Sequence, residues 1–145
     1  MPNIYKALEA MVRRAAQQAR AAAPTAAADD VIADMPLLEE WQPGKYDIGD
    51  VRVHAGQPWR CCQSHDSTGN EAWAPGQAPS LWAPYHATSA KRALPWVAPI
   101  GAHDCYNDGE YMRWTDGQIY RCRADATVHG PDVLPGAWEL AEVPA

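Results

Sequence analysis

The sequence of 145 residues contains no phenylalanine, no long apolar run and no cluster of basic residues larger than neighbouring pairs. A helix that spans a membrane needs about 20 consecutive apolar residues, so we predict no membrane insertion. Twelve basic residues stand against eighteen acidic ones, which gives a formal net charge of −6. Because binding to phosphate backbones needs a concentrated positive patch, this charge argues against a nucleic-acid partner.

The cysteines also lack the spacing of a metal site. Cys61 and Cys62 are adjacent, and Cys105 and Cys122 stand 17 residues apart, so no CxxC clamp for zinc is present. Cys105 and Cys122 are able to meet across neighbouring strands as a disulfide, but buried thiols that pack as small apolar side chains are the favoured interpretation. We predict no metal and no cofactor.

The N-terminal segment predicts a helix over residues 3–23, with Asn3 as its N-cap and Pro24 at its end. Apolar and small residues recur at alternating spacings of four and three, which is typical of a coiled-coil seam. The seam consists of Ile4, Leu8, Met11, Ala15, Gln18 and Ala22. Self-association as a dimer or trimer is favoured, and a helix that lies on its own β modules is the alternative. A second short helix is predicted over 25–35.

From residue 41 onward, one order of aromatic, glycine and cysteine residues occurs twice. Four aromatic positions recur, as Trp41 and Trp96, Tyr46 and Tyr106, Trp59 and Tyr120, and Trp82 and Trp138. Duplication followed by changes in loop length leaves such a pattern. The shared positions are predicted to form two cores, so recognition is expected to use residues that the copies do not share.

Alternating residues on either side of a turn at Gly56-Gln57 and of one at Asp116-Gly117 predict one β-hairpin in each copy. The predicted fold class is therefore α+β, with an N-terminal helix followed by two small antiparallel all-β modules. The predicted domains are a helical oligomerisation or attachment segment at 1–38, a first β module at 39–85, a linker at 86–95 and a second β module at 96–145.

Three aromatic residues without a counterpart in the other copy are candidate platforms for sugar rings: Trp73, Tyr85 and Trp114. Flat aromatic faces pack against the C–H groups of a sugar, and polar side chains bind its hydroxyls. His65, Asp66 and Asn70 precede Trp73 in the same loop and are the candidate hydroxyl partners. Local packing is the alternative for the aromatic residues, and simple solvation is the alternative for the polar ones.

Catalysis finds little support in the sequence. A glycosidase needs two carboxylates at a defined separation in a cleft, and modules this small offer no deep cleft. His103, Asp104 and Cys105 are consecutive, and neighbouring side chains of an extended segment point to opposite sides, so they would not converge. We predict that the protein is not an enzyme.

Residues 41–82 resemble the chitin-binding type 3 carbohydrate-binding modules, which are small all-β modules attached to many bacterial chitinases. The matching residues are Tyr46-x-x-Gly-Asp50-x-Val, Trp59-Arg-Cys61 and Trp73-x-Pro-Gly-x-x-Pro79-x-Leu-Trp82, and residues 96–138 match more loosely. The resemblance implies carbohydrate binding. The paired aromatics that such modules carry after the cysteine-bearing strand have no counterpart in residues 63–67.

The layout of the whole chain is similar to small tail-region proteins of phages and prophages. These proteins begin as residues 3–11 do and enter a second module as residues 101–107 do. The resemblance implies a virion structural protein that contacts other tail proteins and binds host surface polysaccharide. Charged residues such as Lys6 and Arg13 interrupt any signal peptide, so we expect synthesis in the host cytoplasm. The alternatives are an architectural or decoration protein that binds no glycan, and a polysaccharide-binding accessory subunit of a hydrolase.

Overall fold

The computed structural model describes residues 3–100 and 103–142, so the outermost residues of two predicted domains and positions 101–102 lie outside the description. The α+β class is confirmed. Helix α1 spans Ile4–Ala22, and the side chain of Asn3 accepts a hydrogen bond from the Lys6 backbone N–H at 3.0 Å, as the N-cap prediction requires. Within the described ranges, no helix has the length and apolar character that crossing a membrane demands.

The predicted second helix is shorter than expected. Helix α2 covers only Ala28–Ala33, and one-turn 3₁₀ helices at Ala23–Thr25 and Met35–Leu37 flank it. Both flanking turns contain a proline, which lacks the N–H that a continuing α-helix needs. The segment is therefore a chain of short turns that folds back toward the first sheet.

The first β region, which comprises strands β1 to β5, contains two small antiparallel sheets. Its strands are β1 (Lys45–Tyr46), β2 (Val51–His54), β3 (Gln57–Cys61), β4 (His65–Asp66) and β5 (Trp82–Pro84). Strands β2, β3 and β5 form one sheet, and β1 pairs with β4. The hairpin between β2 and β3 turns at Ala55 and Gly56, both with positive φ, which is the geometry of a tight two-residue turn.

The second β region forms one four-stranded sheet in the order β6 (Leu94–Pro95), β7 (Tyr111–Arg113), β8 (Ile119–Cys122) and β9 (Trp138–Leu140). The predicted Asp116-Gly117 hairpin joins β7 and β8. The strands within 96–145 pair antiparallel as predicted, and the sheet also takes in one strand from the predicted linker, because β6 pairs in parallel with β7. Pro95 is tolerated there because β6 is an edge strand and one of its sides needs no N–H donors.

The same local hydrogen bonds occur in both β regions. In each, a glycine N–H donates to the carbonyl of the cysteine, and an acidic side chain accepts from the backbone N–H three residues before it. These bonds are Gly49 to Cys61 and Gly109 to Cys122, both at 2.9 Å, and Asp47 to Asp50 at 2.8 Å and Asn107 to Glu110 at 2.7 Å. The two carboxylates therefore hold turns rather than facing a substrate.

Burial of the two shared cysteines supports the thiol interpretation. Cys61 and Cys122 are fully buried, and each Sγ lies 3.2 Å from the carbonyl oxygen two residues ahead, Gln63 in one case and Ala124 in the other. Burial also raises the pKa of the Cys61 thiol. These groups pack as small apolar side chains that donate a weak S–H hydrogen bond.

The C-terminal half of α1 packs on the first β region. Ala19 and Ala23 are buried against Val31, Leu38 and β2. Arg20 reinforces the contact, because its Nε donates to the Leu37 carbonyl at 2.9 Å and its guanidinium lies 3.5 Å from the Glu39 carboxylate. The alternative of a helix lying on its own module therefore describes this half of α1, while the predicted seam residues Ile4, Leu8 and Met11 remain exposed.

Candidate functional site

The candidate site rests on a small aromatic core in the first β region. Tyr46, Trp59, Cys61 and Trp82 are all buried there, and the rings of Tyr46 and Trp82 meet edge to face with centroids 5.0 Å apart. The Tyr46 hydroxyl donates to the Gln42 carbonyl at 2.6 Å, so even its polar end is fixed. This confirms the prediction that the aromatics present in both copies build cores.

The loop that follows β3 is anchored by a buried serine. Ser67 is fully buried, and its backbone N–H donates to the Gly44 carbonyl at 2.8 Å. Its hydroxyl both donates to the same carbonyl and accepts from the Gly44 N–H, at 3.1 Å in each case. Because a buried hydroxyl is costly without partners, this arrangement fixes the loop in one position.

Trp73 is the most exposed aromatic of the three candidate platforms. It ends a single 3₁₀ turn at Glu71–Trp73, and its backbone N–H donates to the Asn70 carbonyl at 3.3 Å. The residue is 41% exposed, although tryptophan usually buries most of its area. The Trp73 ring is therefore partly exposed to solvent, on a loop that the hydrogen bonds of Ser67 hold in place.

His65 lies between this exposed ring and the aromatic core. Its ring centroid is 6.4 Å from that of Trp73 and 5.8 Å from that of the buried Trp82, edge to face in both cases. Its Nδ1 lies 2.7 Å from the Gln63 carbonyl oxygen, which only accepts, so we assign the proton of the neutral ring to Nδ1. His65 therefore contacts both rings, and its Nε2 is buried without a hydrogen-bond partner among the described protein atoms.

The remaining polar candidates, Asp66 and Asn70, differ in the hydrogen bonds that they make. Asp66 accepts from both the hydroxyl and the backbone N–H of Thr68, at 2.6 and 2.9 Å, and these bonds lower the pKa of its carboxyl. Asp66 therefore stays ionised and braces its own turn. Asn70 lies three residues before Trp73 and contacts it through the backbone bond described above, so the structure brings the rings of His65 and Trp73 together and places the Asn70 backbone next to them.

Tyr85 and Trp114 lie away from this group. Tyr85 packs against the apolar cluster under α1, and burial raises the pKa of its phenol. Trp114 is half-buried in the second β region, where its ring meets that of Trp96 edge to face at 5.3 Å. Trp114 also has a positional counterpart, because His54 contacts Trp41 in nearly the same geometry, at 5.5 Å. Sequence comparison restricted to aromatic residues missed this pair, since the counterpart is an imidazole.

The close packing of Trp114 gives a testable consequence. A methyl group added at the buried Gly130 would overlap the Trp114 ring, whereas one added at Gly136 would meet open space. Overpacking of a tight core costs about 1–3 kcal/mol. We therefore expect Gly130→Ala to lower the unfolding free energy by that amount in urea denaturation and Gly136→Ala to change it little. Equal stability of the two variants would mean that Trp114 moves freely and is available as a platform.

One difference between the two β regions concerns their closing tryptophans. Trp82 pairs with Cys61 and Trp138 pairs with Cys122 in the same register. The Trp138 Nε1 donates to the His129 carbonyl at 2.9 Å, whereas the buried Trp82 Nε1 has no hydrogen-bond partner among the described protein atoms. The closing indole N–H is therefore hydrogen-bonded in the second β region and unbonded in the first, where the loop before this tryptophan is longer.

The segment predicted as a linker makes an unanticipated aromatic contact. His86 is buried, and its ring stacks on that of Tyr106 with centroids 3.8 Å apart and planes 3° from parallel. Its Nδ1 lies 3.1 Å from the Glu110 carboxylate. Burial raises the pKa of the Tyr106 phenol well above its ordinary range. These residues support the second sheet, and no sequence pattern links positions so far apart.

Across the described ranges, no three histidine, cysteine, aspartate or glutamate side chains converge in a way that would hold a metal ion. The groups around Trp73 are an apolar ring face, an imidazole and an amide. Such a surface binds ligands by stacking and hydrogen bonding.

Comparisons with known proteins agree with this kind of surface. Residues 40–83 match the sequence profile of carbohydrate-binding module family 5/12, a family of non-catalytic binding modules. The resemblance drawn for residues 41–82 is thereby confirmed at the level of this family, and the match ends before the second sheet. No curated protein matches the chain.

Among solved structures, a family GH18 chitinase from Chromobacterium violaceum is 25% identical over 40% of this chain, with a TM-score of 0.31. The match spans only 15% of the length of that chain.

Proposed function

We propose that residues 40–83 bind polysaccharide, with the exposed ring of Trp73 as the stacking platform. Two observations support the proposal: the match to a carbohydrate-binding family and the fixed, solvent-exposed position of this ring beside His65. The apolar face of tryptophan suits the C–H groups of a sugar ring. In this proposal the side-chain amide of Asn70 binds sugar hydroxyls, and His65 holds the loop, because its Nδ1 is bonded to the Gln63 carbonyl and its Nε2 is buried.

A single platform implies weak binding by one site. We propose that affinity is raised by repetition, because linked sites bind the same polymer far more tightly than separate ones. Two levels of repetition are proposed. The second β region acts as a divergent second module, as its matching turn hydrogen bonds suggest. In addition, α1 forms a dimer or trimer through Ile4, Leu8, Met11 and Ala15.

The proposed setting is a phage tail or baseplate region, where the β regions face a host surface polysaccharide and α1 attaches the chain to other tail proteins. The layout resemblance over residues 3–11 and 101–107 supports this proposal. A purely architectural virion protein is the second candidate, favoured by the packing of Trp114 and Tyr85 into their own cores. A chitin- or polysaccharide-binding subunit of a hydrolase is the third.

The experiment is a pull-down of the full chain with insoluble chitin, cellulose and bacterial cell wall, followed by titration on the best ligand. Binding to at least one polysaccharide that excess soluble oligosaccharide reverses is the expected result. A folded chain that stays in the supernatant with every polymer would favour the architectural role.

A further inference from the structure

The N-terminal half of α1 carries an exposed apolar stripe. Its members are 50–76% exposed and consist of Ile4, Tyr5, Leu8, Met11 and Val12. Single exposed apolar residues are ordinary on protein surfaces, but five within nine residues of one helix are not. Among the described residues, only the C-terminal half of the helix is covered by the chain's own first β region.

A groove lies beside that C-terminal half. It has a volume of about 350 Å³ and is lined by Ala15, Gln18, Ala19, Ala22, Asp34 and Leu37. Three of these six side chains are alanines, so the groove admits larger side chains from outside. Alanines line much of the groove at the C-terminal half, whereas the N-terminal half presents large apolar side chains around a second hollow of about 470 Å³, lined by Tyr5, Leu8, Glu9, Val12 and Arg13.

These two ends are complementary if two copies of α1 run in opposite directions. Suppose that each seam residue of one copy lies opposite the residue of the other copy whose number adds with its own to 26. Each large seam residue then faces a smaller or more flexible one. The pairs are Ile4 with Ala22, Leu8 with Gln18, and Met11 with Ala15. Alternation of large and small side chains across a contact is how packed layers interdigitate. A parallel pair would instead set Ile4 on Ile4 and Ala22 on Ala22, so the two helices would approach closely at the Ala22 end and stand farther apart at the Ile4 end.

Charge and area agree with a second copy as the occupant. None of the six seam positions is charged, and three of the four basic residues of α1, Lys6, Arg13 and Arg20, are spaced by seven on the opposite face, while Arg14 lies beside the seam. Stable interfaces bury about 1,200 Å² or more in total, and each copy would contribute five large apolar side chains that are 50–76% exposed, together with the groove. A two-fold axis uses every stripe and every groove once, so the assembly closes as a dimer.

We propose that α1 mediates an antiparallel, two-fold dimer in which the stripe of each copy fills the groove of the other. The proposal rests on the self-association put forward above and specifies its partner, direction and copy number. In this arrangement Leu8 and Gln18 of different copies are neighbours. The two pairs of β regions then extend from opposite ends of one helical bar.

Cysteine cross-linking of the full chain tests the direction. Leu8→Cys and Gln18→Cys variants are mixed, allowed to exchange subunits and oxidised mildly, and wild type with its native cysteines sets the background. A covalent dimer several-fold more abundant in the mixture than in either variant alone is expected. Dominant self-cross-linking of each single variant would mean a parallel bundle, which overturns the antiparallel dimer but leaves self-association intact.

Light scattering supplies the second measurement. Wild type should have twice the mass of one chain, Leu8→Asp should be monomeric, and Gln17→Asp, at an exposed position off the seam, should stay dimeric. A trimer would overturn the two-fold arrangement, and a monomeric wild type at tens of micromolar would overturn self-association as well. Polysaccharide binding by the same samples is read separately, so its loss or retention is not confused with either result.

Discussion

Alanine at Trp73 should lower the affinity for polysaccharide by about tenfold or more while leaving the chain folded. The ring is 41% exposed and ends a surface 3₁₀ turn, so its removal opens no core. The loop itself remains anchored, because Ser67 keeps its three bonds to Gly44. Affinity titration on the polymer identified by pull-down measures the change.

The matched control for this substitution is Leu140→Ala, which removes a comparably exposed apolar side chain from β9 in the second sheet. Its affinity should stay within twofold of wild type. If Trp73→Ala binds as well as wild type while Leu140→Ala or Trp114→Ala loses binding, the platform lies in the second β region and the assignment of the site is wrong.

Alanine at Trp82 should lower the unfolding free energy by about 3–5 kcal/mol, which is the usual cost of removing a buried tryptophan. Trp82 has no exposed area and contacts both Tyr46 and His65. Loss of so large a side chain leaves a cavity that a sheet of three short strands cannot collapse into. Urea denaturation, followed by the fluorescence of the remaining tryptophans, measures the effect.

Trp73→Ala serves as the control for that measurement, because it is the same chemical change at an exposed position of the same β region. Its unfolding free energy should differ from wild type by less than about 1 kcal/mol. A Trp82→Ala variant that is equally mild would mean that the aromatic core does not hold this region together.

Local patterns predicted the hairpins and the cores well, because each depends on residues close in sequence or repeated in it. Asp116-Gly117 fixed one turn through the positive φ that its geometry needs. The other turn lies one residue earlier than expected, at Ala55 and Gly56, since Gln57 is drawn into β3 where its side chain donates to the Tyr85 carbonyl. Such a tertiary hydrogen bond leaves no local signal.

The candidate site could be predicted only in part, for a similar reason. The exposure of Trp73 agrees with its lack of a counterpart, and His65 does lie beside it. Tyr85 and Trp114 also lack aromatic counterparts, yet long-range packing under α1 and against Gly130 covers them. An aromatic residue without a counterpart in the other copy can be recognised from the sequence. Whether its side chain is exposed to solvent depends on the folded structure.

The stack of His86 on Tyr106 determines where a fragment that contains the second sheet must begin if it is to be grafted onto another protein. A fragment that begins at Trp96, where the repeat begins in the sequence, would leave one face of Tyr106 bare and remove the bridge from Ala87 to Tyr111. Grafting the second sheet onto another protein therefore requires a cut before His86. The predicted linker is therefore a structural part of the second sheet. A recombination event that keeps this sheet intact must also join the chain before His86.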